Sequence, residues 1–317
     1  NQAMLSLADI KKIVNSGKPV VWTMHDIWPA TAICHYARGC KQFYTTCHHC
    51  PLLPHGGGNN DLSARVWRKK VAILQDKSIL FVACSKWLEG QAKQSALLKN
   101  QIVTSIPNPI DTRIFCKQDK KQARRAFGLP ENKQLILFVS QRVTDERKGV
   151  NYFIEALQQL VTEHPAMKQN TGVVILGGHS AEVAARLPIP AYALGYVSDA
   201  EKIASVYNSA DLFVLPSLED NLPNTIMEAM ACGIPCVGYR VGGIPEEIDH
   251  LKNGYVAAYK DVNDLARGIY WVLNEAEYDV LSAQAIEKVI SCYSQKAVSL
   301  RYIEVYNQAL AFKKRKL

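Results

Sequence analysis

Short apolar runs alternate with helical stripes along most of the chain beyond residue 130. Segments 135–140, 173–176, 193–197, 212–215 and 234–239 are almost wholly apolar and four to six residues long, the pattern of strands buried on both faces of a sheet. Between them lie helical patterns. Apolar residues recur at 150, 153, 154, 157, 160 and 161, segment 200–208 reads as a helix, and 261–275 is amphipathic. Strands alternating with helices predict a doubly wound parallel sheet, with ligands at the carboxyl ends of the strands. The first 110 residues carry the pattern more sparsely, with strand-like runs at 19–24, 79–84 and 102–106.

Residues 215–246 are the most informative stretch. After the 212–215 run come Pro216, the acids Glu219 and Asp220, and an apolar helix from about Leu222 to Cys232; Gly233 and Pro235 then stop it. Asp220 or Asn221 is the expected helix cap, with Pro223 in the first turn. The unpaired N–H groups and positive dipole end near Asn224 and Thr225 suit an anion. Glu228 is the only charge from Leu222 to Cys232. A lone helical Glu is usually a solvated surface residue, but this helix reads as buried and offers no cation. Glu228 lies one turn beyond Asn224 on the same face, where a carboxylate can accept hydrogen bonds from ribose hydroxyls below a diphosphate.

The acid-x7-Glu spacing from Asp220 to Glu228, followed by Ala-Met-Ala-Cys-Gly-Ile-Pro, resembles the donor-site signature of retaining glycosyltransferases of family 4, and the colanic-acid and exopolysaccharide enzymes among them. The resemblance implies an α/β fold of the GT-B type, two Rossmann-like doubly wound parallel-sheet domains. It also implies a UDP- or GDP-sugar donor, a glycan or lipid-linked glycan acceptor, and retention at the anomeric carbon. The family's first acid, typically Glu, is Asp220 here, with Glu219 beside it; it orients the sugar, and Glu228 binds the ribose. Arg142 and Lys148, in the polar loop after the 135–140 strand, match the residues that grip the diphosphate. Gly177, in a Gly-Gly pair, and Val197, after Gly195-Tyr196, match positions beside the nucleotide, and Gly242-Gly243 matches a post-strand loop. His25, in Thr23-Met24-His25-Asp26, matches a histidine that touches the transferring sugar; as a residue type at a strand end it is more often structural.

On this resemblance residues 1–110 form an acceptor-side domain lacking its opening strands, residues 111–292 the donor domain, and residues 293–317 a terminal helix ending in the basic tail Lys313-Lys314-Arg315-Lys316. The first residue is Asn, and a Rossmann-like half normally needs on the order of 150 residues, so the first domain reads as trimmed.

Segment 34–60 has neither helical nor strand period. Cys34, Cys40, Cys47 and Cys50 are spaced C-x5-C-x6-C-x2-C, with His35, His48 and His49 interleaved. Such a long irregular loop wants a staple or a function. A tetrahedral structural zinc, two disulfides, or four ordinary thiols each fit the spacing.

Charge and composition add three points. Lys and Arg total 37 against 29 Asp and Glu, a net charge of +8, which suits anionic donors and peripheral contact with an anionic membrane surface. Five further Cys lie scattered at 84, 116, 232, 236 and 292, the usage of a reducing compartment, and no apolar run approaches spanning length. The expectation is a cytoplasmic enzyme, at the inner face of the membrane if its acceptor is lipid-linked. No Asp-x-Asp motif occurs, consistent with Arg142, Lys148 and a helix end in place of a catalytic divalent metal. Two other readings compete. A nucleotide-sugar epimerase on the same fold needs extra acid–base carboxylates, and a non-enzymatic basic module with a zinc loop needs clustered basic and aromatic residues for nucleic acid; the basic residues here are scattered.

Overall fold

The computed structural model describes residues 5–54, 56–75 and 77–314, with side chains described as far as residue 311. The expected basic tail at Lys313, Lys314, Arg315 and Lys316 lies outside the described side chains. The chain divides into two compact units, residues 1–107 with 298–317, and residues 108–297.

Unit 1 is built on a parallel sheet of β1 (Val20–Met24), β2 (Ile79–Ala83) and β3 (Ile102–Ser105), in the order β1-β2-β3. All three expected strands form within a residue or two of their sequence positions. Helices Leu7–Val14, Leu62–Leu74 and Lys86–Gln94 each begin at a capping side chain, Ser6, Asp61 and Ser85 respectively, which satisfies first-turn N–H groups. Residues of the last helix, Gln295–Lys314, complete this unit. Val298, Val305 and Ala309 pack with Leu80, Val82 and Ile106 in one buried cluster, and Tyr302 Oη lies 3.2 Å from Thr23 Oγ1.

Unit 2 holds six parallel strands: β4 (Gln134–Arg142), β5 (Thr171–Gly178), β6 (Ala191–Gly195), β7 (Leu212–Leu215), β8 (Cys236–Tyr239) and β9 (Gly254–Ala257). Their spatial order is β6-β5-β4-β7-β8-β9. The order reverses between β4 and β7, as in a dinucleotide-binding sheet, and the crevice at that reversal is where such folds hold ligands. Ile136, Phe138, Val173, Ile175, Leu212 and Val214 are buried against Phe153, Leu157 and Leu160 of helix Val150–Glu163 and Leu265 and Ile269 of helix Val262–Asn274. These are the apolar stripes expected from the sequence.

One strand is shifted and one was not expected. β6 lies two residues before the expected 193–197 run, because Gly195 turns out of the strand at φ +70 and Asp199 already caps the next helix. β9 has no counterpart among the expected strands. Its opening Gly254 sits so close to β8 that a Cβ there would stand 2.1 Å from the Cys236 carbonyl, so the strand depends on a residue of low strand propensity.

Candidate functional site

The carboxyl ends of β4 and β7 carry the loops that build the site. β4 runs to Arg142, which is exposed and donates from Nε to Thr144 Oγ1 at 3.1 Å. Lys148 lies in the next turn, Glu146–Lys148, just before helix Val150–Glu163. Its Nζ reaches across to Asp220, in the loop after β7, at 2.6 Å, with the two side chains 23% and 12% exposed. Ser217 Oγ donates to the same Asp220 oxygen at 3.1 Å, and Leu218 N donates to the Arg147 carbonyl at 2.7 Å. The two loops are therefore bound together by backbone and by charge. A half-buried ion pair is held more by position than by net energy, so a competing anion can draw Lys148 away.

Glycine lets neighbouring loops close on this pair. Gly242 has φ +55, and a Cβ on it would stand 1.6 Å from the Asp220 carbonyl; Gly243 N donates to the Asn221 carbonyl at 2.6 Å. Gly177, at the carboxyl end of β5 with φ +141, passes so close to β4 that a Cβ would stand 1.8 Å from the Ser140 carbonyl. Val197 is half-buried in the loop after β6.

Helix Asn224–Ala231 begins beside Asp220. Here the expectation needs correcting: the cap is Pro223 itself, without any side-chain hydrogen bond, and neither Asp220 nor Asn221 caps the helix. Asp220 is engaged by Lys148 and Ser217 instead. The first-turn N–H groups thus lack a side-chain cap, which leaves them for an anion. Asn224 is exposed and its Oδ1 accepts from Asn108 Nδ2 at 3.0 Å, while the buried hydroxyl of Thr225 has no hydrogen-bond partner.

Glu228 follows one turn deeper, flanked by buried Ile226, Met227, Ala229 and Met230. Burial pushes its carboxyl above the usual range, against the effect of a hydrogen bond from Tyr207 Oη at 2.9 Å. Tyr207 is fully buried in helix Ala200–Ser209, and burial and the Glu228 charge together hold its hydroxyl protonated. The sequence showed no partner for Glu228; the structure supplies one.

A second acid escaped the sequence reading, which found no extra carboxylate for acid–base work. Glu247, after Gly242-Gly243, is fully buried with both oxygens lacking hydrogen-bond partners. Burial, then the charges of Asp220 and Glu246, raise its pKa well above the carboxylate range, with Lys288 and Lys148 opposing.

Comparison with known proteins identifies the part of the chain that bears these residues. Residues 133–275 match the family of glycosyl transferases group 1. This region resembles the group 1 glycosyltransferases. The match spans all six strands of the unit 2 sheet and holds Arg142, Lys148, Gly177, Val197, Asp220, Asn224, Thr225 and Glu228. The chain is 27% identical over 218 residues to N-acetyl-alpha-D-glucosaminyl L-malate synthase of Bacillus anthracis, covering 67% of this chain and 55% of that protein. It is 30% identical over 198 residues to an uncharacterised glycosyltransferase of Methanocaldococcus jannaschii, covering 61% and 50%. It spans about half the length of the curated relatives it matches. The structure resembles that of Anabaena Alr3699/HepE in complex with UDP, with 17% identity, a TM-score of 0.72 and coverage of 96% of this chain and 77% of that one. Sucrose-phosphate synthase of Thermosynechococcus elongatus gives 22% identity and a TM-score of 0.64, covering 78% and 62%. With the parallel sheets described above, these likenesses establish the fold class as α/β of the GT-B type, with Rossmann-like units.

In unit 1, His25 sits exposed just beyond the carboxyl end of β1. Cys34, Cys40, Cys47 and Cys50 line one small cavity, all as free thiols. Burial first, and the neighbouring sulfurs next, push Cys34 up to about 11, and burial likewise holds Cys47 at about 11. The tetrahedral zinc shell expected from the spacing is not assembled: among the described residues no group of three or more His, Cys, Asp or Glu is placed to hold a metal ion. Neutral thiols around a cavity have no common charge to draw them onto one point. No described helix is long and apolar enough to cross a membrane.

Proposed function

We propose that unit 2 binds a nucleotide-diphosphate sugar and that the protein transfers the sugar to an acceptor hydroxyl with retention at the anomeric carbon. The observation that carries this reading is the Lys148–Asp220 pair beside a helix start without a side-chain cap, at the point where the sheet order reverses. A diphosphate arriving there meets Lys148, Arg142 and the N–H groups of Asn224 and Thr225. As Lys148 turns to the phosphates, Asp220 is released to orient the sugar. Glu228, already held by Tyr207, offers its second oxygen to the ribose hydroxyls. Gly177 admits the nucleotide close to the backbone and Val197 lies against the base. Arg142 and Lys148 then neutralise charge on the leaving diphosphate, the service for which a fixed cation is worth most. In this mechanism a donor phosphate oxygen takes the acceptor proton on the same face of the sugar. His25 is the proposed catalytic group of unit 1.

The acceptor in this reading is a glycan or lipid-linked glycan of bacterial polysaccharide or lipopolysaccharide synthesis, met in the cytoplasm at the inner face of the membrane. Charge supports the location, since bases outnumber acids in unit 1 and acids outnumber bases in unit 2, and basic surfaces gather at anionic lipid.

Calorimetric titration with UDP-, GDP- and ADP-sugars tests the donor site. One base class should bind, and Lys148→Met should weaken the nucleoside diphosphate by about tenfold or more while leaving the nucleoside alone unaffected. Failure of every nucleotide to bind would overturn the reading. In a transfer assay, His25→Ala should lower turnover without changing donor affinity; unchanged turnover removes His25 from the mechanism.

A further inference from the structure

The turn that follows β1 is held in place by side chains from distant parts of unit 1. Residues Trp28–Ala30 form a single turn of 3-10 helix, and buried groups take the carbonyls along it. Lys70, on helix Leu62–Leu74 and 3% exposed, donates its Nζ to the carbonyls of Trp28 at 2.5 Å and Thr31 at 2.8 Å. Ser95, fully buried, donates its hydroxyl to the Ala30 carbonyl at 2.6 Å. The Thr31 hydroxyl carries the tie onward to the Cys34 carbonyl at 2.8 Å, and Ile27 N donates to the His35 carbonyl at 3.4 Å. Removing an ammonium from water is costly, and here it fixes backbone, the kind of support that holds a functional side chain in one geometry.

What this turn presents is an Asp–His pair. Asp26 follows the end of β1 at Met24; its Oδ1 accepts from Trp28 N at 2.8 Å and its Oδ2 stands 2.7 Å from His35 Nδ1. A carboxylate on Nδ1 places the proton there and leaves the lone pair on Nε2. That nitrogen has no partner among the described residues, and the His35 side chain is 36% exposed. The pair is not needed as a staple, because the backbone on both sides of it is already tied. It lies at the carboxyl end of a parallel strand, the edge at which α/β sheets take ligands, and Asp26 is next in the chain to His25. All of these residues belong to unit 1.

We propose that His35, held by Asp26, binds the acceptor: its Nε2 accepts a hydrogen bond from a hydroxyl of the acceptor sugar. This role rests on the transfer reaction proposed above and names the chemistry by which unit 1 recognises its substrate. A neutral imidazole with its lone pair outward selects a group that donates, as a saccharide hydroxyl does, over an ionised phosphate or carboxylate, which only accept. His35 takes no proton in this role, since the acceptor proton leaves with the donor phosphate. Asp26 is a positioning residue that acts through His35.

The test measures nucleoside diphosphate released by the full chain from UDP-glucose or GDP-mannose, with and without octyl glucoside, octyl galactoside and octyl N-acetylglucosaminide as acceptor probes. Calorimetric binding of the same donors runs beside it. At least one glycoside should raise release saturably. His35→Ala should raise the KM of that glycoside about three- to tenfold while donor affinity stays at the wild-type value. His35→Gln, whose amide oxygen accepts, should recover part of the loss. Asp26→Asn separates recognition from architecture. Its amide oxygen keeps the Trp28 N–H, but its NH2 now donates to His35 Nδ1, so the proton moves to Nε2 and that nitrogen no longer accepts. The acceptor KM should rise as in His35→Ala, whereas a staple would survive the exchange. Wild-type acceptor KM in either variant overturns the role. Donor binding without any glycoside raising release also overturns it. Failure of every donor to bind overturns the transfer reading itself, and the role with it.

Discussion

Glu228 and Tyr207 separate stability from binding in a way that tests the donor site directly. Tyr207 Oη donates to Glu228 Oε2 at 2.9 Å, and Tyr207 is fully buried. In Tyr207→Phe, a poorly solvated carboxylate loses a hydrogen bond of the charged kind, a loss of about 1.5–3 kcal/mol. In Glu228→Leu, the cost of burying a carboxylate disappears but the Tyr207 hydroxyl is orphaned, which costs about 1–3 kcal/mol. The double variant removes both partners and leaves an apolar contact, so it should lie within about 1 kcal/mol of wild type. Urea unfolding of the four proteins measures this cycle. Binding follows a different order. Loss of two carboxylate–hydroxyl bonds at about 1.5 kcal/mol each predicts an affinity loss on the order of 100-fold for Glu228→Leu and for the double variant. Tyr207→Phe keeps the acceptor and should lose less than about tenfold. A double variant destabilised by the sum of the singles would refute the pairing. Wild-type nucleotide affinity in Glu228→Leu would refute the ribose assignment.

Glu247 carries a pH signature. An acid whose folded pKa is raised costs stability as pH climbs above its unfolded value, by about 1.4 kcal/mol per unit until the folded group ionises. Because burial, and after it the charges of Asp220 and Glu246, disfavour its ionised form more than Lys288 and Lys148 favour it, Glu247→Gln should gain stability relative to wild type between roughly pH 5 and 7. Parallel stability curves for the two proteins would show that Glu247 is not neutral in the fold. Gly242→Ala places a methyl against the Asp220 carbonyl at a φ of +55; it should destabilise by more than about 2 kcal/mol and weaken donor binding. A stable variant with unchanged affinity would mean that the Gly242 loop does not frame the site.

Five of the six strands of unit 2 were readable because each is an apolar run bounded by a turn, and their parallel direction followed from the helices between them; β9, which opens on Gly254, was not. Their spatial order was not readable. It depends on which edge each crossover takes, and neighbours such as β4 and β7 are joined by pairing between residues about 76 apart, Ile136 with Leu212. Partnerships were hidden for the same reason. Lys148 meets Asp220 across 72 residues, and Tyr207 meets Glu228 from a helix on which a tyrosine looks like ordinary core. Glu247 sits in an Ile-Pro-Glu-Glu turn, where two adjacent acids read as solvated; only burial tells them apart.

Lys70 is the instructive case, because it was readable by a rule already in use. Glu228 drew notice as a charge on an apolar face. On helix Leu62–Leu74 the buried positions are Ser63, Ala64, Trp67, Lys70, Ile73 and Leu74, the helical stripe of three- and four-residue steps. Lys70 occupies the middle of that stripe. Arg68 and Lys69 precede it in the chain and make it look like one more member of a basic run, although they point to other faces of the helix. Scoring each charge by its position on the stripe, and not by its sequence neighbours, singles out Lys70 as it did Glu228. What its amine meets there is the carbonyls of Trp28 and Thr31 and the face of the Trp28 ring, about 40 residues earlier in the chain, and that is the part the sequence hides.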